Sequence, residues 1–244
     1  DTILIYRKPV LWLMANGYEA GYEYGHLLCG PIADLMENYI INHTLGGATG
    51  YQYARKIFDE HFIYNTKYEQ IAQGMIHGMK DAGVSIYSST LGEDLTFKDV
   101  LIANSISDLM SWGEATENSE LGGELVISRN LDWENNPYLI NNALIIIWGN
   151  MSGTGQRIIT FGFTGFIGAL SGINESGIVT FQNMGNQNMQ PTGSDFYPVN
   201  LASTNHFRKL MPPVYCYRYN RFIDSLETNS QLGPKGNWHS GVSN

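Results

Sequence analysis

The chain has little cysteine and no long apolar run. Only two of its 244 residues are cysteines, Cys29 and Cys216, so at most one disulfide can form and a disulfide-built scaffold is excluded. Free cysteine is among the most buried residue types, which favours two buried thiols over a bridge. No run reaches the ~18 apolar residues of a membrane span, and the best run, residues 143–148, has the length of a strand. We therefore expect no membrane span and a soluble protein, either cytoplasmic or secreted.

Positive charge is scarce as well. The chain has 14 Lys and Arg residues against 23 Asp and Glu, for a net charge of -9, and the basic residues do not cluster. A chain of this kind repels nucleic acid and anionic membrane surfaces, so we expect no nucleic-acid partner. Apolar residues make up 43% and charged residues 15% of the chain, which favours a folded core over disorder.

The sequence also lacks the spacings of common cofactor sites. None of its six histidines has a usual metal-ligand spacing, and no HExxH or CxxC motif occurs. Gly162, Gly165 and Gly168 are spaced by three within an apolar region, which indicates packing rather than a phosphate-binding loop. We therefore expect neither a metal nor another cofactor.

Apolar residues recur at helical spacing through the first ~110 residues, which predicts a mainly helical segment. The members of two predicted helical faces are Ile32, Leu35, Met36, Tyr39 and Ile40, and Tyr68, Ile71, Ala72, Met75, Ile76 and Met79. Thr96 and Asp99 form a capping signal ahead of a further apolar run. Gly46, Gly47 and residues 83–89 are predicted to interrupt the helices.

From residue 125 onward, short β-rich runs alternate with turn residues. The predicted strands are residues 125–128, 144–148, 157–163, 166–171 and 177–181, with a tight turn at 174–177. Residues 215–226 are a candidate for a last helix. Helices followed by antiparallel strands indicate an α+β architecture, which we divide into a helical N-terminal segment, 1–108, and a sheet-containing domain, 109–244.

Charged residues follow the first predicted strand. Arg129 and Asp132 are three positions apart, so a bend after Arg129 is needed to bring both to one site, because such positions point to opposite faces of a strand. The plain alternative is a surface ion pair, which contributes little to stability.

Two other catalytic arrangements are possible on residue type alone. A serine hydrolase triad could be formed by Ser111, Asp132 and His206, although no nucleophile elbow accompanies them. A glycosidase pair could be formed by Asp132 with Glu134 or Glu175, although nothing in the sequence places them across a sugar.

The segment Arg129-Asn130-Leu131-Asp132-Trp133 resembles the RNLDW or QNWDF stretch of the acyl-CoA:6-aminopenicillanic acid acyltransferase family of Ntn hydrolases. The choloylglycine hydrolases are more distant relatives of that family. Similar segments follow the family's order along most of the chain, at residues 18–25, 111–116, 163–177, 181–183, 191–193 and 204–206.

The resemblance implies an Ntn-hydrolase-like αββα sandwich with an N-terminal helical pro-segment. In that class the chain is cleaved before the nucleophile, and the new N-terminal α-amine serves as its base, since its pKa lies near 8. The implied function is an autoprocessed amidohydrolase or acyltransferase. It would act on a small-molecule linear amide or acyl-thioester through a covalent acyl-enzyme, without a cofactor.

Carried over to this sequence, the implied catalytic residues are Arg129, Asp132, Asn183, Asn205 and Arg221. The resemblance implies that Asp132 holds the α-amine and that Arg129 orients the nucleophile or the substrate. Asn183 would supply an oxyanion donor, and Asn205 would bind near the amine or the oxyanion. Arg221 is slightly preferred to Arg218 as the late arginine of the site.

The chain departs from the family pattern in two places. The nucleophile is expected near Ile106 or Ser107, and neither residue is cysteine. The stretch from Asn200 to Thr204 is far shorter than in the family. Three explanations are open. In the first, the chain joins pieces of a longer protein, with junctions at 108–109 and 202–203. In the second, it is a shortened inactive relative that binds small molecules, and in the third its reading frame has lost segments. We favour the first.

Overall fold

The structure is a computed structural model. It describes residues 9–15, 17–106, 118–121, 124–127, 136–149, 155–177, 179–181 and 197–207. Within these residues the fold mixes helices with one five-stranded sheet and two small strand pairs. This confirms a mixed α/β protein compatible with the predicted α+β class. The predicted domain boundary at 108–109 lies outside the described residues.

The N-terminal part is mainly helical, as predicted. Its helices are α1 (Gly17–Leu27), α2 (Cys29–Asp34), a π-helix (Leu35–Thr44), α3 (Ala48–His61), α4 (Thr66–Asp81) and α5 (Phe97–Ala103). Both predicted apolar faces are buried in the core. Gly46 and Gly47 have φ angles of 71° and 90° and separate the π-helix from α3, which explains why glycine stands there. Cys29 is a half-buried free thiol.

The capping signal at Thr96 and Asp99 is confirmed as a capping box at the start of α5. The Thr96 backbone N–H and hydroxyl both donate to Asp99 Oδ2, at 2.7 and 2.8 Å. The other carboxylate oxygen accepts hydrogen bonds from Arg55 Nη2 (2.6 Å) and from the Tyr51 hydroxyl (3.0 Å). Because the Asp99 side chain is fully buried, these partners replace its water shell and fix α5 against α3.

Helices α1 and α4 approach so closely that glycine is required on both. A Cβ atom on Gly21 would lie 2.0 Å from the Ile71 carbonyl oxygen, and one on Gly74 would lie 2.1 Å from the Tyr18 carbonyl oxygen. Gly25 and Gly78 meet the opposite helix at 2.0 and 2.1 Å in the same way. The four glycines therefore set the separation of these two helices.

The main sheet has the strand order β1-β6-β7-β8-β9. Its strands are β1 (Val10–Leu13), β6 (Ala143–Trp148), β7 (Ile158–Phe163), β8 (Ser171–Asn174) and β9 (Val179–Phe181). β1 is parallel to β6, and the other neighbours are antiparallel. Sequence reasoning missed β1, a four-residue strand whose partner lies more than 130 positions later.

The predicted strand at 166–171 is wrong, because β8 begins only at Ser171. Residues 164–170 form a turn and loop in which Gly165 has a φ angle of 83°. The Ile167 N–H donates to Asn104 Oδ1 (2.7 Å) and the Ala169 N–H to Thr204 Oγ1 (2.8 Å). Side chains from distant parts of the sequence thus take the hydrogen bonds that a strand ladder would have used.

The tight turn at 174–177 is confirmed and joins β8 to β9. The Gly177 N–H donates to the Asn174 carbonyl (2.9 Å), and Gly177 has a φ angle of 79°. Next to the turn, the Glu175 carboxylate pairs with Arg157 (2.7 Å).

The two faces of the main sheet differ. One face packs against the helices, and its buried side chains include Leu11, Leu13, Leu144, Ile146, Trp148 and Ile158. The opposite face carries apolar side chains in register across the strands: Val10, Ile145 and Phe161 in one row, and Trp12, Ile147, Ile159 and Ile173 in the next. Trp12 is 60% exposed and Phe161 45% exposed, whereas the isoleucines of these rows are half-buried, so this face is only partly open to solvent.

The remaining elements are short. They are the pairs β2 (Tyr87–Ser88) with β3 (Glu93–Asp94) and β4 (Asn118–Leu121) with β5 (Glu124–Ile127), and the helices α6 (Pro137–Asn141) and α7 (Val199–Phe207). The predicted helix at 215–226 lies outside the described residues. None of the described helices combines the length and the apolar character needed to cross a bilayer.

We predict that Gly74→Ala destabilises the fold by at least about 3 kcal/mol, because its methyl group would overlap the backbone of α1. Gly30→Ala is the matched control, since a Cβ atom there meets nothing within 4 Å and alanine favours helix. Urea unfolding of both variants measures the difference. Equal stability of the two variants would show that α1 and α4 are not held this closely.

Candidate functional site

Of the residues predicted to form the catalytic site, the structure describes one. Arg129, Asp132, Asn183 and Arg221 lie outside the described residues, as does the alternative Arg218. Asn205 lies on α7 and is half-buried. The predicted convergence of these side chains in one pocket therefore stays a prediction.

Asn205 lines a cavity between the start of α4 and the start of α7. The space inside it that a water molecule can reach is about 240 Å3, and its wall also includes Tyr64, Tyr68 and Tyr197. No charged side chain belongs to the described wall. The described part of the wall around Asn205 is thus neutral and largely aromatic.

The predicted nucleophile position directly follows α5. Ile106 is buried, whereas Ser107 and Ser111 lie outside the described residues. The nearby Ser105 hydroxyl is buried and donates to the Leu101 carbonyl (2.8 Å). Ser105 is therefore held in a helix-terminal hydrogen bond and is not poised as a nucleophile.

Asn104 connects the end of α5 to the loop between β7 and β8. It is 2% exposed, and its Nδ2 donates to the carbonyls of Val100 (2.9 Å) and Gly165 (3.0 Å). Its Oδ1 accepts the Ile167 N–H at 2.7 Å. Because the amide's donors and its acceptor are all engaged, Asn104 fixes this loop beside the predicted nucleophile position.

Helix α7 is joined to the same point. Asn200 Nδ2 donates to the Asn104 carbonyl at 3.1 Å. On the next turn, the Thr204 hydroxyl donates to the Asn200 carbonyl (2.6 Å) and accepts the Ala169 N–H (2.8 Å). The helix that carries Asn205 is thus bonded to the residue three positions before Ser107. The proposed junction at 202–203 falls inside this continuous helix.

A second, apolar cavity lies between the helices and the sheet and reaches Ile106. The space inside it that a water molecule can reach is about 60 Å3, and it opens to solvent. Its walls are Ile32, Leu35, Met36, Tyr39, Ile40, Thr44, Met75, Val100, Ala103, Asn104, Ile106, Leu139, Phe163, Thr164, Gly165, Phe166 and Leu170. A mostly apolar cavity with a few polar groups is the usual form of a small-molecule site.

Tyr24 of α1 supports one wall of the apolar cavity. Its side chain is fully buried, packs edge-on against Trp148, and its hydroxyl accepts the Gly165 N–H at 2.8 Å. Burial raises the pKa of Tyr24 well above its usual value. This effect outweighs the hydrogen bonds with the backbone at Gly165 and Phe166, which lower the pKa. The phenol therefore stays protonated and holds the turn at Gly165.

A carboxylate holds the outer side of the π-helix, whose inner side lines the cavity. Glu37 accepts hydrogen bonds from the hydroxyls of Ser88 (2.6 Å), Ser89 (2.6 Å) and Thr90 (2.8 Å), and from the Thr90 N–H (2.9 Å). Burial alone raises the pKa of Glu37, but these bonds outweigh burial and hold the pKa below its usual value. The loop 85–92 is thereby fixed to the cavity wall.

The other catalytic arrangements gain no support from the described residues. Glu175 pairs with Arg157 on the surface, and this hydrogen bond lowers the pKa of Glu175, whereas a glycosidase acid needs a raised pKa. Asp132, Glu134 and Ser111 lie outside the described residues, and the His206 side chain is likewise not described. The described part of the chain contains no group of three or more His, Cys, Asp or Glu residues that could hold a metal ion.

No protein-family model matches this chain, and the search of curated proteins finds no match either. The resemblance to the acyltransferase family therefore rests on the sequence segments quoted above and stays a prediction.

Sequence reasoning missed three residues that shape the candidate site: Asn104, Tyr24 and Thr204. Their partners lie 35 to 141 positions away along the chain. No local sequence pattern predicts such long-range hydrogen bonds. Asn104 does follow a predicted helix, but an asparagine at that position is equally typical of an ordinary helix end.

We predict that Asn104→Leu lowers the free energy of unfolding by about 2–4 kcal/mol, because it leaves the Ile167 N–H and the Gly165 carbonyl unpaired in the interior. Urea unfolding measures the loss, and hydrogen exchange should show faster exchange of the Ile167 amide. The control is Asn38→Leu, which removes an exposed bond to Asp34 and should cost less than about 0.5 kcal/mol. A similar small cost for both would contradict the role of Asn104.

We also predict that Glu37→Gln lowers stability by about 1 kcal/mol at pH 7. Since the folded pKa of Glu37 is lowered, its contribution is complete above the ordinary value of 4.5 and is lost as the pH falls through the folded pKa. The gap between wild type and variant should therefore close in acid, as measured by thermal unfolding across pH 3 to 7 (roughly the window of carboxyl titration). Ser89→Ala, which removes one donor, should show a smaller gap with the same pH trend. A gap that does not change with pH would refute the assignment.

Proposed function

We propose that this protein is an amidohydrolase or acyltransferase that works through a covalent acyl-enzyme. The single observation that carries the proposal is the apolar cavity beside Ile106. The sequence resemblance expects the nucleophile at Ile106 or Ser107, and the cavity wall reaches the first of these residues. An apolar acyl group held there would present its carbonyl carbon to the following residue.

The proposed chemistry starts with cleavage of the chain before the nucleophile. The freed α-amine accepts the nucleophile's proton, and the nucleophile attacks the carbonyl carbon of an amide or thioester. The resulting oxyanion is stabilised by N–H donors, with Asn183 and Asn205 as the proposed groups. The carbon–nitrogen or carbon–sulfur bond then breaks, the leaving group takes a proton, and water or an amine removes the acyl group. Asp132, Arg129 and Arg221 keep their proposed positioning roles.

The open face of the main sheet supports the finer fold proposal, an αββα sandwich. One helical layer already covers the other face of the sheet. The open face presents two rows of apolar side chains, and large exposed apolar patches are uncommon in monomeric proteins. In the proposed sandwich a second sheet packs on this face, about 10 Å away.

A second candidate is a catalytically inactive relative that binds small molecules. The absence of cysteine at positions 106 and 107 favours it, and the apolar cavity could serve such a protein unchanged. The two functions share the cavity and differ in whether a bond is broken.

We predict that mass spectrometry of the purified full-length protein shows two polypeptides, with the break a few residues before Ser111. An acylating probe should then add to the new N-terminal residue of the second polypeptide. One uncleaved chain that is also inert to such probes would refute the enzyme and leave the binding protein. Loss of ester cleavage in Ser111→Ala, but not in Ser107→Ala, would instead favour the serine hydrolase with Ser111, Asp132 and His206.

A further inference from the structure

Thr44 stands apart from the other residues that line the apolar cavity. It is the last residue of the π-helix, its hydroxyl oxygen is buried, and that oxygen has no hydrogen-bond partner among the described residues. By contrast, the Thr164 hydroxyl donates to the Asn142 carbonyl at 3.1 Å, and the Asn104 amide is fully engaged. Thr44 thus brings an unused donor and acceptor to an otherwise apolar wall.

A buried hydroxyl without a partner is costly and uncommon in folded proteins, so it needs a physical reason. A threonine side chain at a helix end can bond to a carbonyl of the preceding turn, yet Thr44 does not. Water does not fill apolar cavities stably when it finds few polar partners. A molecule that occupies the cavity can supply the missing partner.

We infer that Thr44 is a specificity-determining residue that hydrogen-bonds a neutral hydroxyl or carbonyl group borne by an otherwise apolar chain in the cavity. The inference rests on the proposed function in taking that chain to be the acyl group of the substrate. The bond itself forms on binding and needs no catalytic step.

The chemistry of the walls selects a neutral group. Among the described residues, no Lys, Arg, Asp or Glu side chain lines the cavity, so a charged group beside Thr44 would lose its water without gaining a counter-charge from them. A plain alkyl chain would leave the Thr44 hydroxyl unpaired, whereas a hydroxyl or carbonyl group would pair it. A cavity with one such group discriminates mainly against ligands that cannot use it.

The test compares hexanamide with the positional series of monohydroxylated hexanamides, by calorimetric titration of the full chain. At least one hydroxylated isomer should bind wild type about 2- to 10-fold more tightly than hexanamide does. The isosteric variant Thr44→Val should lose this preference, bind hexanamide at least as tightly as wild type, and unfold at an equal or higher temperature without ligand.

Two matched variants complete the test. Thr44→Ser keeps the hydroxyl and should keep the preference for the hydroxylated isomer. Thr160→Val removes a buried hydroxyl that already accepts the Trp148 indole N–H (3.1 Å) and does not line the cavity, so it should lower the unfolding temperature and leave the preference intact.

The outcomes separate this inference from the proposed function. If no member of the series binds, or if Thr44→Val keeps the preference, Thr44 does not determine specificity. If the preference follows Thr44 but the protein is uncleaved and inert to acylating probes, the binding site stands and the proposed catalysis fails. Cleavage and probe labelling without any binding of the series would support the proposed catalysis and contradict the proposed role of Thr44.

Discussion

The close contact between α1 and α4 is the constraint on which the rest of the described structure depends. Backbone meets backbone at Gly21, Gly25, Gly74 and Gly78, with no room for a single methyl group. The contact fixes two side chains that serve the candidate site. Tyr24 extends from α1 to hold the turn at Gly165, and Met75 of α4 lines the apolar cavity. A shift of either helix would therefore change both the loop and the cavity.

Polar side chains, rather than strand pairing, position the loop between β7 and β8. Asn104, Tyr24 and Thr204 come from α5, α1 and α7, and each pairs with a backbone group of residues 164–170. Because these bonds are buried, each costs more to break than a surface bond would. They join three helices and the sheet around the position where the nucleophile is expected. The geometry at that position is therefore set by the fold and not by local sequence.

What the sequence could predict was encoded locally. The capping box at Thr96 and Asp99, the turn at 174–177 and the buried helical faces depend on residues a few positions apart, and the structure confirms them. The failed strand at 166–171 and the missed strand β1 depend on partners far along the chain. The sequence could not predict the π-helix either, because apolar residues three and four positions apart fit an α-helix as well as they fit a π-helix. Of the predicted site, Asn205 alone is described, so its chemistry rests on resemblance.

The choice between enzyme and binding protein depends on what the Asn104 network accomplishes. A binding protein needs the cavity walls, and Tyr24 and Glu37 already secure those on two sides. Asn104 also lines the cavity: its side chain fixes the loop that forms a further part of the wall, while its carbonyl receives α7. Both connections meet two or three residues before the expected nucleophile, which is Ile106 or Ser107. Catalysis requires such precision, because a displacement of ~1 Å at the reacting atoms can cost two orders of magnitude in rate, whereas apolar binding tolerates it. Such a network would serve the proposed enzyme, and the missing cysteine is the observation that weighs most against that proposal.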